Sequence, residues 1–395
     1  YQYLEDVSRE IFYRYGYEQI RIPTFEDVNL FSRSIGVTTD IVQKEMYVFK
    51  DKKGRQLALR PEGTAGIVRA YIENNFAKKI PIVKVYHYGS MFRYERPQTG
   101  RYREFYQIGA EYFGNGQPVA DAEVIFLAMD ILLKAGIKNP KLYINSLGCD
   151  NCRKEYRKVL IEKLKTKVNK YCSDCQIRFT LNPLRVLDCK VDREKILDLP
   201  KMQDYLCIDC RKHFERLKKL LEIGNCEYEV DQRLVRGIDY YNRTIFEIKS
   251  AGLSTAEATI VGGGRYDGLV KQLGSMETFS CGFALGVERV VSLIEKRKSF
   301  REKILKKIFI AVAEKEKDEN AVKLSRRLRA EDFVIIGPFP DRSLKSQLRL
   351  ANTFNADFVV IIGSKELSKG KMIVKDMKNQ LQKEVSEDKI INSIK

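Results

Sequence analysis

The sequence predicts an α+β protein in which one core is interrupted by a helical, basic insertion and followed by a C-terminal α/β module. Three observations predict it. A polar turn, Tyr94-Glu-Arg-Pro-Gln-Thr-Gly-Arg-Tyr-Arg103, separates two strand-like runs within residues 82–113. Helical periodicity with an excess of Lys and Arg sets in at about residue 151 and lasts to about 226. From Ile308 onward, strand-like and helix-like segments alternate in the manner of βαβ units.

The chain opens on an amphipathic helical pattern, Leu4, Val7, Ile11, Phe12 and Tyr15, which reads as a packed surface helix and not as a secretory signal. It begins at Tyr1 without a methionine, so an N-terminal piece is expected to precede it. Residues 1–150, resumed at 227–298, mix helices with strands that hold Gly-rich and Arg-rich segments. After the polar turn, Phe105, Gln107, Gly109 and Glu111 share one face of a strand, and Tyr106, Ile108, Ala110 and Tyr112 share the other. A half-exposed sheet would turn Gln107 and Glu111 to water, whereas a binding face would turn them inward. The insertion, 151–226, reads as helices over 156–168 and 212–221 with a break at Asn182-Pro183. A charged stretch, Glu295-Lys-Arg-Lys-Ser-Phe-Arg-Glu-Lys303, leads to the module at 304–395, with strands over 308–312, 334–336 and 358–362 and helices around 321–330 and 344–353.

With 395 residues, 44% of them apolar, the chain can fill two or three cores. No apolar run reaches the length of a membrane span, and nothing argues for export, so the expected location is the cytoplasm. Residues 150–226 and 301–395 each carry a net +7 of the chain's +18. Such segments suit a polyanion, because each Lys or Arg set against a phosphate releases counterions, although a solvated basic face would look the same. Nine cysteines include three Cys-x2-Cys pairs, Cys149/Cys152, Cys172/Cys175 and Cys207/Cys210. Reduced structural thiols are the default reading. The spacing of Cys149, Cys152, Cys172 and Cys175 also matches a structural zinc site.

Two segments ask for chemistry. Leu234-Val-Arg-Gly-Ile-Asp-Tyr-Tyr-Asn-Arg-Thr-Ile-Phe-Glu247 sets Arg236 beside a closely approachable backbone and two phenols, Tyr240 and Tyr241. Gly262-Gly-Gly-Arg-Tyr-Asp267 follows it. Leu59-Arg-Pro-Glu-Gly-Thr-Ala-Gly66 and Phe283-Ala-Leu-Gly-Val-Glu-Arg289, the latter opening a helix, complete the set. No GxxxxGK[ST] loop is present, so a nucleotide would be held by arginines, with Arg93, Arg236 and Arg289 the candidates.

These segments resemble the class II aminoacyl-tRNA synthetases: residues 7–26, where Pro23 ends a strand, resemble motif 1, residues 91–113 motif 2, and residues 282–290 motif 3. The Arg236 and Gly262 segments resemble the two signature segments of the histidyl-tRNA synthetases within that class. The resemblance implies an antiparallel-sheet catalytic core, an acceptor-arm insertion and an anticodon-binding C-terminal domain. It implies activation of L-histidine with ATP and Mg2+, transfer to tRNA(His), and a homodimer formed through motif 1. Arg93 would hold the ATP α-phosphate, Phe105 would stack on adenine and Arg289 would bind the γ-phosphate, with Arg101 nearby. Glu62, Gly63, Thr64 and Gln107 would meet the histidine α-amino group. Glu111 and Tyr241 would bind the imidazole, helped by Tyr240 and Tyr266, and Arg236 would bridge the carboxylate and the α-phosphate. Arg96 and Gln98 would lie near the tRNA acceptor end. The non-catalytic alternatives are the regulatory subunit of ATP phosphoribosyltransferase and a tRNA-sensing pseudo-synthetase.

Overall fold

The structure, a computed structural model, describes residues 1–96, 101–189, 191–192, 194–250, 259–294, 305–314 and 317–394. They fall into two compact units. One comprises residues 1–5, 19–217 and 227–297, the other 6–18, 218–226 and 298–395.

The larger unit is built on a sheet in which Val83–Phe92, Glu104–Phe113, Ser280–Gly286, Thr259–Arg265, Asn242–Lys249 and Lys141–Ser146 lie side by side in that order, all antiparallel. Tyr228–Val230 adds a parallel edge next to Lys141–Ser146. The expected hairpin is therefore real, and its alternation sets the two faces of the sheet. Ile108, Ala110 and Tyr112 turn toward the helix Pro118–Lys134, which is apolar and buried along most of its length. On that side Lys84 Nζ reaches Glu123 Oε1 at 2.6 Å and lies 4.8 Å from the centre of the Tyr112 ring. Phe105, Gln107, Gly109 and Glu111 take the opposite face, and Glu111 is only 1% exposed there. Glu111 is thus turned inward and not to water, with Gln107 partly covered.

The insertion is helical, as expected, with helices Asp150–Lys165, Ser173–Leu181 and Ile208–Ile223. The second of these was not anticipated, because its window is short, with Ile177, Phe179 and Leu181 as its large apolar residues. It ends where Asn182-Pro183 was expected to break the chain, and a 3-10 turn, Pro183–Asp188, follows. Tyr156, Leu160 and Leu164 share one buried cluster with Leu234, Tyr240, Tyr241 and Tyr266, so this part of the insertion packs into the larger unit. Two expected boundaries shift. The strand preceding Pro23 is only Glu18–Gln19, and Phe283 to Gly286 belong to a strand, with the helix Val287–Val291 opening after them.

The smaller unit holds a five-stranded sheet in the order Val334–Ile336, Lys307–Val312, Phe358–Ile362, Lys371–Asp376, Gln382–Ser386. The first three strands are parallel and are joined through helices Asp318–Ala330 and Leu344–Thr353, which is the βαβ pattern read from the sequence. The last two strands are antiparallel and were not foreseen, since only Met372, Val374 and Val385 turn inward among charged neighbours. Among the described residues no helix is long and apolar enough to cross a membrane.

Candidate active site

The buried face of the sheet carries a polar cluster centred on Glu111. Thr64 Oγ1 donates to Glu111 Oε1 at 2.6 Å, and the Tyr266 hydroxyl donates to Oε2. Tyr266 packs against Tyr240 and Tyr241 with ring centres 5.4 and 6.5 Å apart. Burial pushes the Glu111 carboxyl up to about 8, against the lowering effect of its two hydrogen bonds. The carboxylate can lie there only because its cross-strand partner is Gly282, where a Cβ would overlap Glu111 Oε2.

Glu62 has a structural task as well. Its carboxylate accepts from the backbone N–H groups of Thr64 at 2.7 Å and Ala65 at 2.8 Å, capping the helix Thr64–Glu73. Burial nevertheless raises its pKa above the ordinary value. Gly63 is packed against His87, a residue the sequence reading passed over. The His87 ring is buried with no hydrogen-bond partner on either nitrogen among the described residues, and burial lowers its pKa to about 4, so it is neutral.

Beside this cluster opens a cleft of about 160 Å³ lined by Arg93, Arg101, Phe105, Gln107, Arg236 and Arg289 among others. Arg93 is oriented by Nε, which donates to the Pro61 carbonyl at 2.9 Å, and its guanidinium lies 5.3 Å from the centre of the Phe105 ring. Arg101 lies 3.4 Å from Glu95. Arg289 sits in the first turn of its short helix and donates from Nη1 to the Thr259 carbonyl at 2.6 Å. The Gln107 Oε1 is buried in the cleft without a partner among the described residues. Arg236 pairs with Glu247, which holds the guanidinium in place, while its Nε has no partner among the described residues. A Cβ at Gly262 would fall on that guanidinium, so the first glycine of Gly262-Gly-Gly-Arg-Tyr-Asp267 leaves the room that Arg236 occupies. Arg96 is exposed and does not line the cleft, and Gln98 lies outside the described residues.

Several site residues escaped the sequence reading. Arg236 also borders a second cleft of about 430 Å³, where Arg153, Arg157 and Arg185 add positive charge. Arg153 Nη1 donates to the Tyr241 carbonyl at 2.9 Å, so the insertion's first helix holds the loop that carries the tyrosines. Arg265 is a node of the fold. It is fully buried, and it donates to Asp121, Asp267 and the carbonyls of Asn115 and Gln117. Burial alone would raise the Asp121 carboxyl, but Arg265, with His213 Nε2 at 3.2 Å, holds it far below the usual range.

The cysteine grouping expected from spacing is corrected. Cys149/Cys152 and Cys172/Cys175 do not meet; the first pair converges with Cys207 and Cys210, the second with Cys189 and Asp192. Adjacent spacing misled because the chain returns to Cys149 only at the start of the insertion's last helix.

With arginines set on an antiparallel sheet in place of a Gly-rich phosphate loop, the larger unit has the catalytic fold of the class II aminoacyl-tRNA synthetases. The family profile described as Histidyl-tRNA synthetase matches residues 2–290, and that described as Anticodon binding domain matches residues 307–395. A histidine–tRNA ligase of Endomicrobium trichonymphae is 47% identical, covering 97% of this chain and 94% of the relative. One from Bacillus subtilis is 45% identical, covering 100% and 94%. Among solved structures, apo histidyl-tRNA synthetase of S. aureus is 34% identical and superimposes with a TM-score of 0.61 over 100% of this chain and 95% of that one. The chain belongs to the histidyl-tRNA synthetase family.

Proposed function

We propose that this chain is a histidine–tRNA ligase, which activates L-histidine with ATP to histidyl-adenylate and pyrophosphate and then esterifies the 3′ end of tRNA(His). The observation that carries this reading is the placement of the Glu111 pocket and the arginine cleft on one sheet face, with Arg236 at the cleft.

In the first step a carboxylate oxygen of histidine attacks the α-phosphorus, and the bond to the pyrophosphate oxygen breaks with its electron pair. Two anions must approach, so fixed positive charge stabilises the pentavalent state more than the separated reactants. Arg236 supplies that charge, Glu247 orients it, and its fork spans oxygens of both reactants. Arg93 holds the α-phosphate, Phe105 takes the adenine, and Arg289, with Arg101 nearby, meets the γ-phosphate end. The attacking carboxylate is already ionised, so no general base is required and positioning does most of the work. Glu95 and Glu288, the carboxylates that line the cleft among the described residues, would suit a hard cation such as Mg2+ brought in with ATP, which would supply charge to offset that of the phosphates.

Glu111 and Tyr241 bind the two imidazole nitrogens, helped by Tyr240 and Tyr266. An apolar analogue would leave these buried groups unpaired, which costs orders of magnitude in discrimination. Glu62, Gly63, Thr64 and Gln107 receive the α-amino group. In the second step a ribose hydroxyl of tRNA attacks the adenylate carbonyl and AMP leaves. Residues 151–226 form the acceptor-arm insertion, with Arg96 and Gln98 near the tRNA end, and 304–395 form the anticodon module. Both excess-charge segments then face nucleic acid. A homodimer through residues 7–26 and a cytoplasmic location complete the reading. A regulatory or tRNA-sensing paralogue would have no need for Arg93, Arg236 and Arg289 in one cleft.

The test is ATP–pyrophosphate exchange by the purified chain with each of the twenty amino acids and no tRNA. Exchange with histidine alone is expected. Absence of exchange with any amino acid from folded protein would overturn the reading.

A further inference from the structure

Cysteine pairs stand at the start of the insertion's first and last helices. Cys149 and Cys152 stand at the start of the helix Asp150–Lys165, and Cys207 and Cys210 at the start of the helix Ile208–Ile223. The four Sγ atoms all lie within 4.8 Å of one another, with Cys149 and Cys152 3.6 Å apart. Four sulfurs around a zinc ion at about 2.3 Å would sit about 3.8 Å from each other in a tetrahedron. All nine cysteines of the chain are free.

The backbone is shaped for this convergence. The Cys207 N–H points at Cys152 Sγ from 3.1 Å, a donor suited to a thiolate. Gly148 turns the chain at φ +62°, and a Cβ there would strike Cys152, so the turn into the cluster requires glycine. Both pairs lie at helix N-termini, where the helix dipole favours negative sulfur. Cys152 and Cys210 are buried and Cys149 is half-buried, while Cys207 is exposed and leaves an entry path from solvent.

We propose that Cys149, Cys152, Cys207 and Cys210 bind one zinc ion that ties the start of the insertion's first helix to the start of its last helix. Tetrahedral thiolate coordination selects zinc over the hard cations, and binding releases the thiol protons. The second cluster differs. Its Asp192 carboxylate already accepts from the Cys172 N–H and from Lys195, each at 2.8 Å, and we assign no ion to it. The zinc site lies next to the amino-acid pocket. One residue beyond Cys152, Arg153 holds the Tyr241 carbonyl, and Gly148 and Leu147 exchange backbone hydrogen bonds with Arg243 at 2.8 and 2.7 Å.

The experiment is elemental analysis of the full chain purified under reducing conditions without chelator, beside the Cys207→Ser/Cys210→Ser double variant. One equivalent of zinc per chain is expected in the native protein, and its loss in the variant. Zinc content that does not change in the variant would overturn the proposal, because the ion would then lie elsewhere. Two measurements on native protein remain decisive if the variant fails to fold. Cobalt added after chelation should give the thiolate charge-transfer band and the d–d bands of tetrahedral cobalt. Cys207, though exposed, should resist alkylation until a chelator is added. Native protein that holds no zinc and gives no cobalt–thiolate band rules the site out.

Discussion

Arg236 lies in the loop before the strand Asn242–Lys249 and Arg265 ends the neighbouring strand Thr259–Arg265, yet their guanidinium groups are used in opposite ways. Arg265 is 0% exposed and its three nitrogens all have partners, two of them carboxylates. Among the described residues Arg236 has one carboxylate partner, an unpartnered Nε and a position at the edge of two clefts. A guanidinium whose donors are all engaged can only hold structure together. One that is anchored on a single side keeps donors for a ligand and keeps its charge in place while doing so. Burial alone would lower the Arg236 pKa, but Glu247 and Tyr241 raise it, so the charge persists.

The sharpest separation comes from removing each in turn. Arg236→Ala should leave the urea unfolding midpoint nearly unchanged and lower histidine-dependent exchange by about a thousand-fold, ~4 kcal/mol of transition-state stabilisation. Normal exchange in this variant would end the catalytic assignment. Arg265→Ala strands Asp121 in the interior and should cost about 3–5 kcal/mol of stability, read as a fall in that midpoint. If the folded fraction of Arg265→Ala exchanged poorly while the midpoint held, the two roles would have been reversed.

Glu111→Gln tests the neighbouring pocket and should reduce kcat/KM for histidine by about a hundred-fold, with KM for ATP little altered. Its pH profile is more diagnostic still. Free histidine gains a proton below about 6.5, whereas Glu111 loses one above about 8. Between those limits the pair brings one proton into the pocket, which is what two complementary hydrogen bonds need. Below the window binding must shed a proton and above it must take one up, so kcat/KM for histidine falls on both sides. The variant should lose the alkaline limb. Arg153→Ala, which frees the Tyr241 carbonyl, is expected to raise KM for histidine about threefold, ~0.7 kcal/mol, without affecting KM for ATP.

What could be read from sequence follows the range of the interactions. The hairpin and its two faces were legible because period-two alternation is a local property, whereas alternation alone left open whether Glu111 faced water or the interior. The parallel half of the smaller sheet was legible because its strands are continuous apolar runs. The strands Lys371–Asp376 and Gln382–Ser386 were hidden by the charged residues on their outer faces. Arg265 lay within a segment that was singled out, but its role depends on Asp121, 144 residues away. Cysteine spacing found the pairs and could not say which pairs meet. Arg153 gave no signal at all, since a first-turn arginine in a basic helix looks like any solvated charge.

The run Gly262-Gly-Gly264 has a consequence for how this chain can change over time. A Cβ at Gly262 meets the Arg236 guanidinium, at Gly263 the Gly282 carbonyl and the Phe246 ring, and at Gly264 the Thr244 carbonyl. Every other amino acid carries a Cβ, so no step by single substitution leaves any of these three positions undisturbed. In sequence space the strand is an isolated point: drift around the rest of the sheet can proceed by small exchanges, but here each codon must stay where it is or change together with the residue it would strike.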